Sequence, residues 1–132
     1  MGWNAKQTNK NRHWLQSFRH ACDGVISLLR RERNARFELG WAVFTVLLGI
    51  LLDIDVWRFL LLLGVSLLVF VAEAFNTAIE AAVDLSCGGK YSDLAHFAKD
   101  TAAAGVLLSA LIAVLAGIYI FLPRLLELFR NI

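Results

Sequence analysis

Four strongly polar residues, Glu73, Asn76, Glu80 and Asp84, interrupt the apolar stretch V-A-E-A-F-N-T-A-I-E-A-A-V-D-L that runs from Val71 to Leu85. Spaced three to four apart, they fall along one stripe of a helix, with Thr77 beside them. Phe59 to Ala72, just upstream, holds no charge, so the stripe continues a segment suited to a bilayer. A carboxylate in that setting is costly and marks a functional site. Two further groups complete the inventory. Lys99-Asp100 follows the loop S-C-G-G-K-Y-S-D, and Glu32 and Glu38 lie inside the basic cluster R-R-E-R-N-A-R-F-E. Carboxylates that hold Mg²⁺, a cation for nucleotide phosphates, and a base or orienting group for an attacking hydroxyl are the requirements of phosphoryl transfer. Gly88-Gly89-Lys90 is only a weak echo of a phosphate loop, because the full spacing and the preceding strand are missing.

The elements that must position these groups are helical. The chain has 132 residues, of which 58% are hydrophobic and 18% charged, with a single proline, Pro123. This is the composition of a small all-α membrane protein, read as one domain over 1–132. Residues 1 to about 12 are polar and lack the apolar run of a secretory signal peptide. From 13 to 31, Trp14, Leu15, Phe18, Cys22, Val25, Ile26 and Leu29 recur at helical spacing opposite Gln16, Arg19, His20 and Asp23. That pattern predicts an amphipathic helix lying on a membrane surface. The fourteen residues Leu39 to Leu52 rise about 21 Å as a helix, short of a roughly 30 Å hydrocarbon core, so the span must begin before them. Transmembrane helices are expected over about 37–53, 57–85 and 100–122. Asp53 and Asp55 end the first of these spans on the far side. In the third, Gly105, Ser109, Ala113 and Gly117 form a small-residue ridge that permits close helix approach.

Eight of the thirteen Lys and Arg precede the first span. Three spans with the N-terminus inside therefore satisfy the positive-inside rule. Asp84, Lys99, Asp100, Glu32 and Glu38 then share one face, with Glu73 deeper, roughly 16 Å of helix rise from Asp84. Lys99-Asp100 also reads as a helix start, its acid near the positive dipole end. A net charge of +2 gives no footing for nucleic acid. Cys22 and Cys87 show neither a disulfide framework nor metal-ligand spacing.

E-A-F-N-T-A-I-E-A-A-V-D followed by F-A-K-D-T-A-A-A-G-V-L-L resembles the small prokaryotic membrane lipid kinases, the diacylglycerol kinase and undecaprenol kinase family. The resemblance runs from about Ser17 to Pro123. It implies a homotrimer in which each protomer has three transmembrane helices and an N-terminal surface helix, with active sites shared between protomers. It implies ATP- and Mg²⁺-dependent phosphorylation of the hydroxyl of a membrane lipid alcohol. By position, Glu73 matches the catalytic base, and Glu32 and Glu80 match the magnesium-holding glutamates. Asn76, Lys99 and Asp100 match nucleotide-handling residues, and Glu38 and Asp84 match acidic positions near the site. His20 stands where the family has a tyrosine near the nucleotide, and Tyr91 lies in the corresponding loop.

E-R-N-A-R-F-E-L and the tail I-F-L-P-R-L resemble the undecaprenol group, which favours undecaprenol over diacylglycerol as acceptor. Glu38, however, stands where the undecaprenol group often has His and the diacylglycerol kinases have Glu. Two other classes compete. An ion pathway would need polar residues through the far half of the spans, yet Phe59 to Leu63 and Ile118 to Phe121 are apolar apart from the Tyr119 hydroxyl. A non-enzymatic membrane subunit would account for the ridge but not for Glu32, Glu73, Glu80 and Lys99. Glu73 or Glu80 paired with an arginine across the bundle is the structural alternative to a catalytic role.

Overall fold

The structure, a computed structural model, describes residues 14–88 and 90–130. All regular structure among them is helical: α1 (Trp14–Arg31), α2 (Arg33–Leu51), α3 (Val56–Cys87) and α4 (Asp93–Arg130). The last three are long and apolar enough to cross a membrane. His13 and Gly89, and with Gly89 the middle of the Gly-Gly loop, lie outside the described residues.

α1 and α2 are almost continuous. Glu32 alone leaves helical geometry, with φ −96° and ψ 123°, while its N–H still donates to Leu28 O at 2.8 Å. Arg36 fastens this elbow. Its Nη1 donates to Leu29 O at 3.1 Å and Arg30 O at 3.2 Å, two of the carbonyls that the end of α1 leaves open.

At the other end of α2 the chain turns within four residues. Leu52 N–H donates to Leu48 O, and Ile54 N–H returns to Gly49 O at 3.2 Å. Ile54 packs so closely over Gly49 that a Cβ there would lie 2.9 Å from its Cδ1. Asp53 takes the left-handed conformation at φ 48°, one that asparagine and aspartate tolerate better than most residues. Asp55 then caps α3, its Oδ1 accepting from the Trp57 and Arg58 amides at 3.1 Å each. So the acids that end the first span also start the second. Arg124 secures this turn from α4, its Nη2 donating to Asp53 O at 3.0 Å.

α3 and α4 pack along one another more extensively than any other pair. α3 ends at Gly88, left-handed at φ 55°, the conformation that closes many helices. α4 starts at Asp93, earlier than its apolar run, so Lys99 and Asp100 stand inside the helix and are not its start. The reason is local: Ser92 O accepts from His96 N–H at 3.0 Å, and Asp93 supplies the first-turn acid. α4 passes through Pro123 and reaches Arg130. Its 38 residues rise about 57 Å, well beyond a roughly 30 Å hydrocarbon core.

The protomer buries few side chains. Leu28, Ala35, Leu62, Val65 and Ile120 are its buried hydrophobics, while large apolar residues along all three long helices stay exposed. Of the ridge on α4, only Ser109 is buried, and a Cβ on Gly105 or Gly117 would meet nothing within 4 Å. At Gly105 and Gly117 the ridge is therefore not spent on packing inside the protomer.

Candidate active site

The first turns of α2 meet the polar stripe of α3. Glu73 is 2% exposed, the most buried acid described. The Asn34 side chain approaches its carboxylate, and Glu32 and Glu80 lie close enough to act on it electrostatically, as does Glu38 from the next turn of α2. Asn34 and Glu38 are four residues apart and so share one face of α2. The elbow delivers Glu32 to the same place. Although it is the N-cap residue of α2, its side chain makes no capping hydrogen bond, which leaves the carboxylate free for other partners.

One turn along α3, Asn76 is also buried. Its Nδ2 donates to Glu80 Oε1 at 3.2 Å, while Oδ1 has no partner among the described residues; nor has the buried Oε2 of Glu38. A buried oxygen without a donor is expensive, and such groups in a native fold call for a ligand or a role. Farther out, Lys99 Nζ of α4 donates to Asp84 Oδ1 and lies within electrostatic reach of Glu80. The cluster thus grades from a buried acid at Glu73 to an open, charge-balanced rim at Asp84 and Lys99.

Asp100 is turned to its own helix, its Oδ2 lying 3.3 Å from His96 Nε2. Tyr91 is 83% exposed, its ring centroid 6.4 Å from that of His96. His20 is exposed on α1, and no hydrogen bond or ion pair joins it to the acids. Within one protomer, then, Glu32, Glu38, Glu73, Asn76, Glu80, Asp84 and Lys99 come together, whereas Asp100, Tyr91 and His20 form no such contact. Among the described residues of this one chain neither Glu73 nor Glu80 pairs with an arginine.

Two residues escaped sequence reasoning. Asn34 and Arg36 belong to the E-R-N-A-R segment, where only the acids and the density of positive charge stood out. The available signal was position: a short amide two residues past Glu32, facing the same way as Glu38.

Among the described residues no three His, Cys, Asp or Glu side chains converge into a metal cage. Mg²⁺ seldom needs one, since one or two carboxylates plus substrate phosphates usually hold it. The donor set here is all oxygen, and the unpartnered Asn76 Oδ1 beside Glu80 fits a hard cation.

Fold and site together define a small helical membrane protein with a carboxylate and lysine cluster at one end of its bundle. The prokaryotic diacylglycerol kinase family model matches residues 19–121. The diacylglycerol kinase of Synechocystis sp. is 40% identical over 114 residues, 86% of this chain and 65% of the relative, so the chain spans just under two thirds of that protein's length. The undecaprenol kinase of Bacillus subtilis is 35% identical over 117 residues, covering 89% of this chain and 94% of the relative. The diacylglycerol kinase of Escherichia coli is 37% identical over 92 residues, 70% of this chain and 75% of the relative. The chain belongs to the prokaryotic diacylglycerol kinase family, a family of lipid kinases.

Proposed function

We propose that this protein transfers the γ-phosphoryl group of ATP to the hydroxyl of a membrane lipid alcohol, with Mg²⁺ as cofactor. The observation that carries this reading is the meeting of the α2 acids with the graded stripe of α3, from buried Glu73 to the Asp84–Lys99 rim. A lipid hydroxyl at the headgroup boundary approaches Glu73 from the bilayer, and the nucleotide enters from the rim. Glu73 orients the hydroxyl and accepts its proton, held from one side by Asn34. Glu32 and Glu80 would hold the metal, with Asn76 Oδ1 as a further oxygen donor. An ion held there would supply the positive charge that phosphoryl transfer needs on the nucleotide phosphates. Lys99 is the mobile cation of the set. Its exchange from Asp84 onto phosphate would couple nucleotide entry to the α3–α4 junction. Asp100, Tyr91 and His20 contribute from the nucleotide side, and Glu38 and Asp84 set the charge around the site.

In this reading α1 lies on the cytosolic surface of the bacterial inner membrane, its exposed Trp14, Leu15 and Phe18 in the headgroup region. Three protomers assemble through their unspent apolar surfaces. The E-R-N-A-R segment and the I-F-L-P-R-L tail favour undecaprenol over diacylglycerol, and 94% coverage of the undecaprenol kinase relative supports that choice. The greater identity to the Synechocystis sp. diacylglycerol kinase favours the second reading, diacylglycerol. Purified protein offered undecaprenol and diacylglycerol at matched mole fraction, in one bilayer with Mg-ATP, is expected to phosphorylate undecaprenol faster. Faster phosphorylation of diacylglycerol would reverse the acceptor, and no transfer to either, with no nucleotide binding, would reject the kinase reading.

A further inference from the structure

A groove of about 500 Å³ opens between α1 and α2, away from the acids. Its walls are Ile26 and Leu29 of α1 with Leu39 and Val43 of α2, and Gly40 opens its floor. At the elbow end two arginines line it, Arg30 and Arg36. The face of α2 concerned follows from helical phase. Arg36, Gly40 and Val43 succeed one another at i, i+4 and i+7, whereas Asn34 and Glu38 are offset from Arg36 and Gly40 by two residues, about 200° around the helix. The groove and Glu73 therefore lie on opposite flanks of α2. From Arg36 to Val43 the rise is about 10 Å, so the groove descends from a charged mouth to a wholly apolar end.

The mouth carries charge that forms no ion pair among the described residues: no carboxylate there pairs with Arg30, Arg31, Arg33 or Arg36. Arg36 spends only Nη1, on the α1 carbonyls, and keeps its other donors. Arg30 is exposed. An open apolar slot of this size, with two arginines at one end, complements a ligand with one hydrocarbon chain and one anionic head.

We infer that the α1–α2 groove binds one anionic membrane phospholipid per protomer, its phosphodiester on Arg30 and Arg36 and an acyl chain between Ile26, Leu29, Leu39 and Val43. This lipid is not the phosphoryl acceptor, since α2 stands between it and Glu73. Its effect is on the elbow. By bridging the end of α1 to the first turns of α2, it braces the single non-helical residue, Glu32. The kinase reading is not needed for the binding itself.

Gly40 gives a clean test. A Cβ there meets nothing within 4 Å, so Gly40→Leu fills the groove without a backbone clash, and leucine is the better helix former. The full-length protein would be released from mixed phosphatidylglycerol and phosphatidylcholine bilayers, and the lipids it retains counted by native mass spectrometry. Wild type is expected to keep one phosphatidylglycerol per protomer, preferred about thirtyfold over phosphatidylcholine, as two nearby arginines would give. Arg30→Gln should cut that preference to a few-fold, and Gly40→Leu should abolish retention of both lipids while circular dichroism stays helical. Equal retention of the two lipids by wild type would overturn the site, as would undiminished retention by Gly40→Leu. Displacement of phosphatidylglycerol by Mg-ATP would reassign the arginines to nucleotide and overturn it too. Activity is read separately: loss of lipid binding in a variant that still turns over leaves the kinase reading standing, and retained lipid in a protein that never turns over leaves the groove standing.

Discussion

Glu73 and Glu80 stand seven residues apart on α3, about 10 Å of helix rise, and that distance separates the two tasks assigned to them. Glu80 shares its carboxylate with the Asn76 amide and lies near Lys99, among groups that suit metal and phosphate. Glu80→Gln keeps size and one acceptor but removes the charge a hard cation needs. Turnover is expected to fall about 100-fold or more with the assembly intact, and near-normal turnover with unchanged Mg²⁺ dependence would defeat the ligand role. In the proposed mechanism Glu73, buried near Asn34, meets only the acceptor side. Glu73→Gln is therefore expected to lower kcat by about 100-fold to 10,000-fold, the range of a general base, while ATP affinity measured by titration stays near wild type. Severely weakened ATP binding with normal turnover at saturating ATP would move Glu73 to the nucleotide site. The acids were legible because intramembrane charge is rare enough to stand out against an apolar run. Asn34 and Arg36 were not, since an amide and a guanidinium in a polar cluster reveal nothing until α1, α2 and α3 are placed together.

At the scale of elements, hydrophobic runs located the three spans, but helix ends depended on local chemistry the runs do not encode. α4 begins at Asp93 because the Ser92 carbonyl and an acidic first turn favour it there, so the helix extends polar residues past the apolar run and presents Lys99 to Asp84 from its side. The short turn before α3 depends on Asp55, whose two roles, ending one span and capping the next, were only half visible in D-I-D-V-W-R. The Arg58 amide chiefly holds the Asp55 carboxyl below its ordinary range, helped by the Arg58 charge and the Trp57 amide against a smaller desolvation effect. A carboxyl whose folded pKa lies below its unfolded one stabilises the fold at any pH above the unfolded value. That contribution is lost as pH falls through the depressed folded pKa. Asp55→Asn keeps a capping oxygen without the charge, so its stability should lack this acid-side decline. Thermal unfolding in one detergent should show wild type more stable at neutral pH, with the gap closing as the solution is acidified below the ordinary aspartate range. A gap independent of pH would mean that shape, and not charge, makes the cap.

The whole protomer leaves most of its large apolar side chains uncovered, and lipid satisfies many of them, but lipid gives no reason for glycines at regular spacing. On α4, Gly105 and Gly117 face open space, so neither is needed for α3 to approach, although the sequence pattern alone was compatible with packing inside one bundle. In the proposed trimer, contact between protomers would use these two glycines. Small residues let helix backbones approach closely, and in a membrane, where no hydrophobic effect drives helices together, such close packing is a main source of association. Leucine at these positions would fit the isolated protomer and improve its helix, yet hold a neighbouring helix off by the width of a side chain. Gly117→Leu and the double variant with Gly105→Leu are therefore expected to keep normal helicity while losing most of the proposed trimer, as read by cross-linking in native membranes. Sites that draw Asp100, Tyr91 or His20 from a neighbour would lose activity in proportion. If the doubly substituted protein cross-links to trimers as fully as wild type, the ridge is not the interface. If wild type itself yields monomer alone, the trimer is wrong, and the residues left outside the cluster within one protomer must reach it by movement of their own helix or loop.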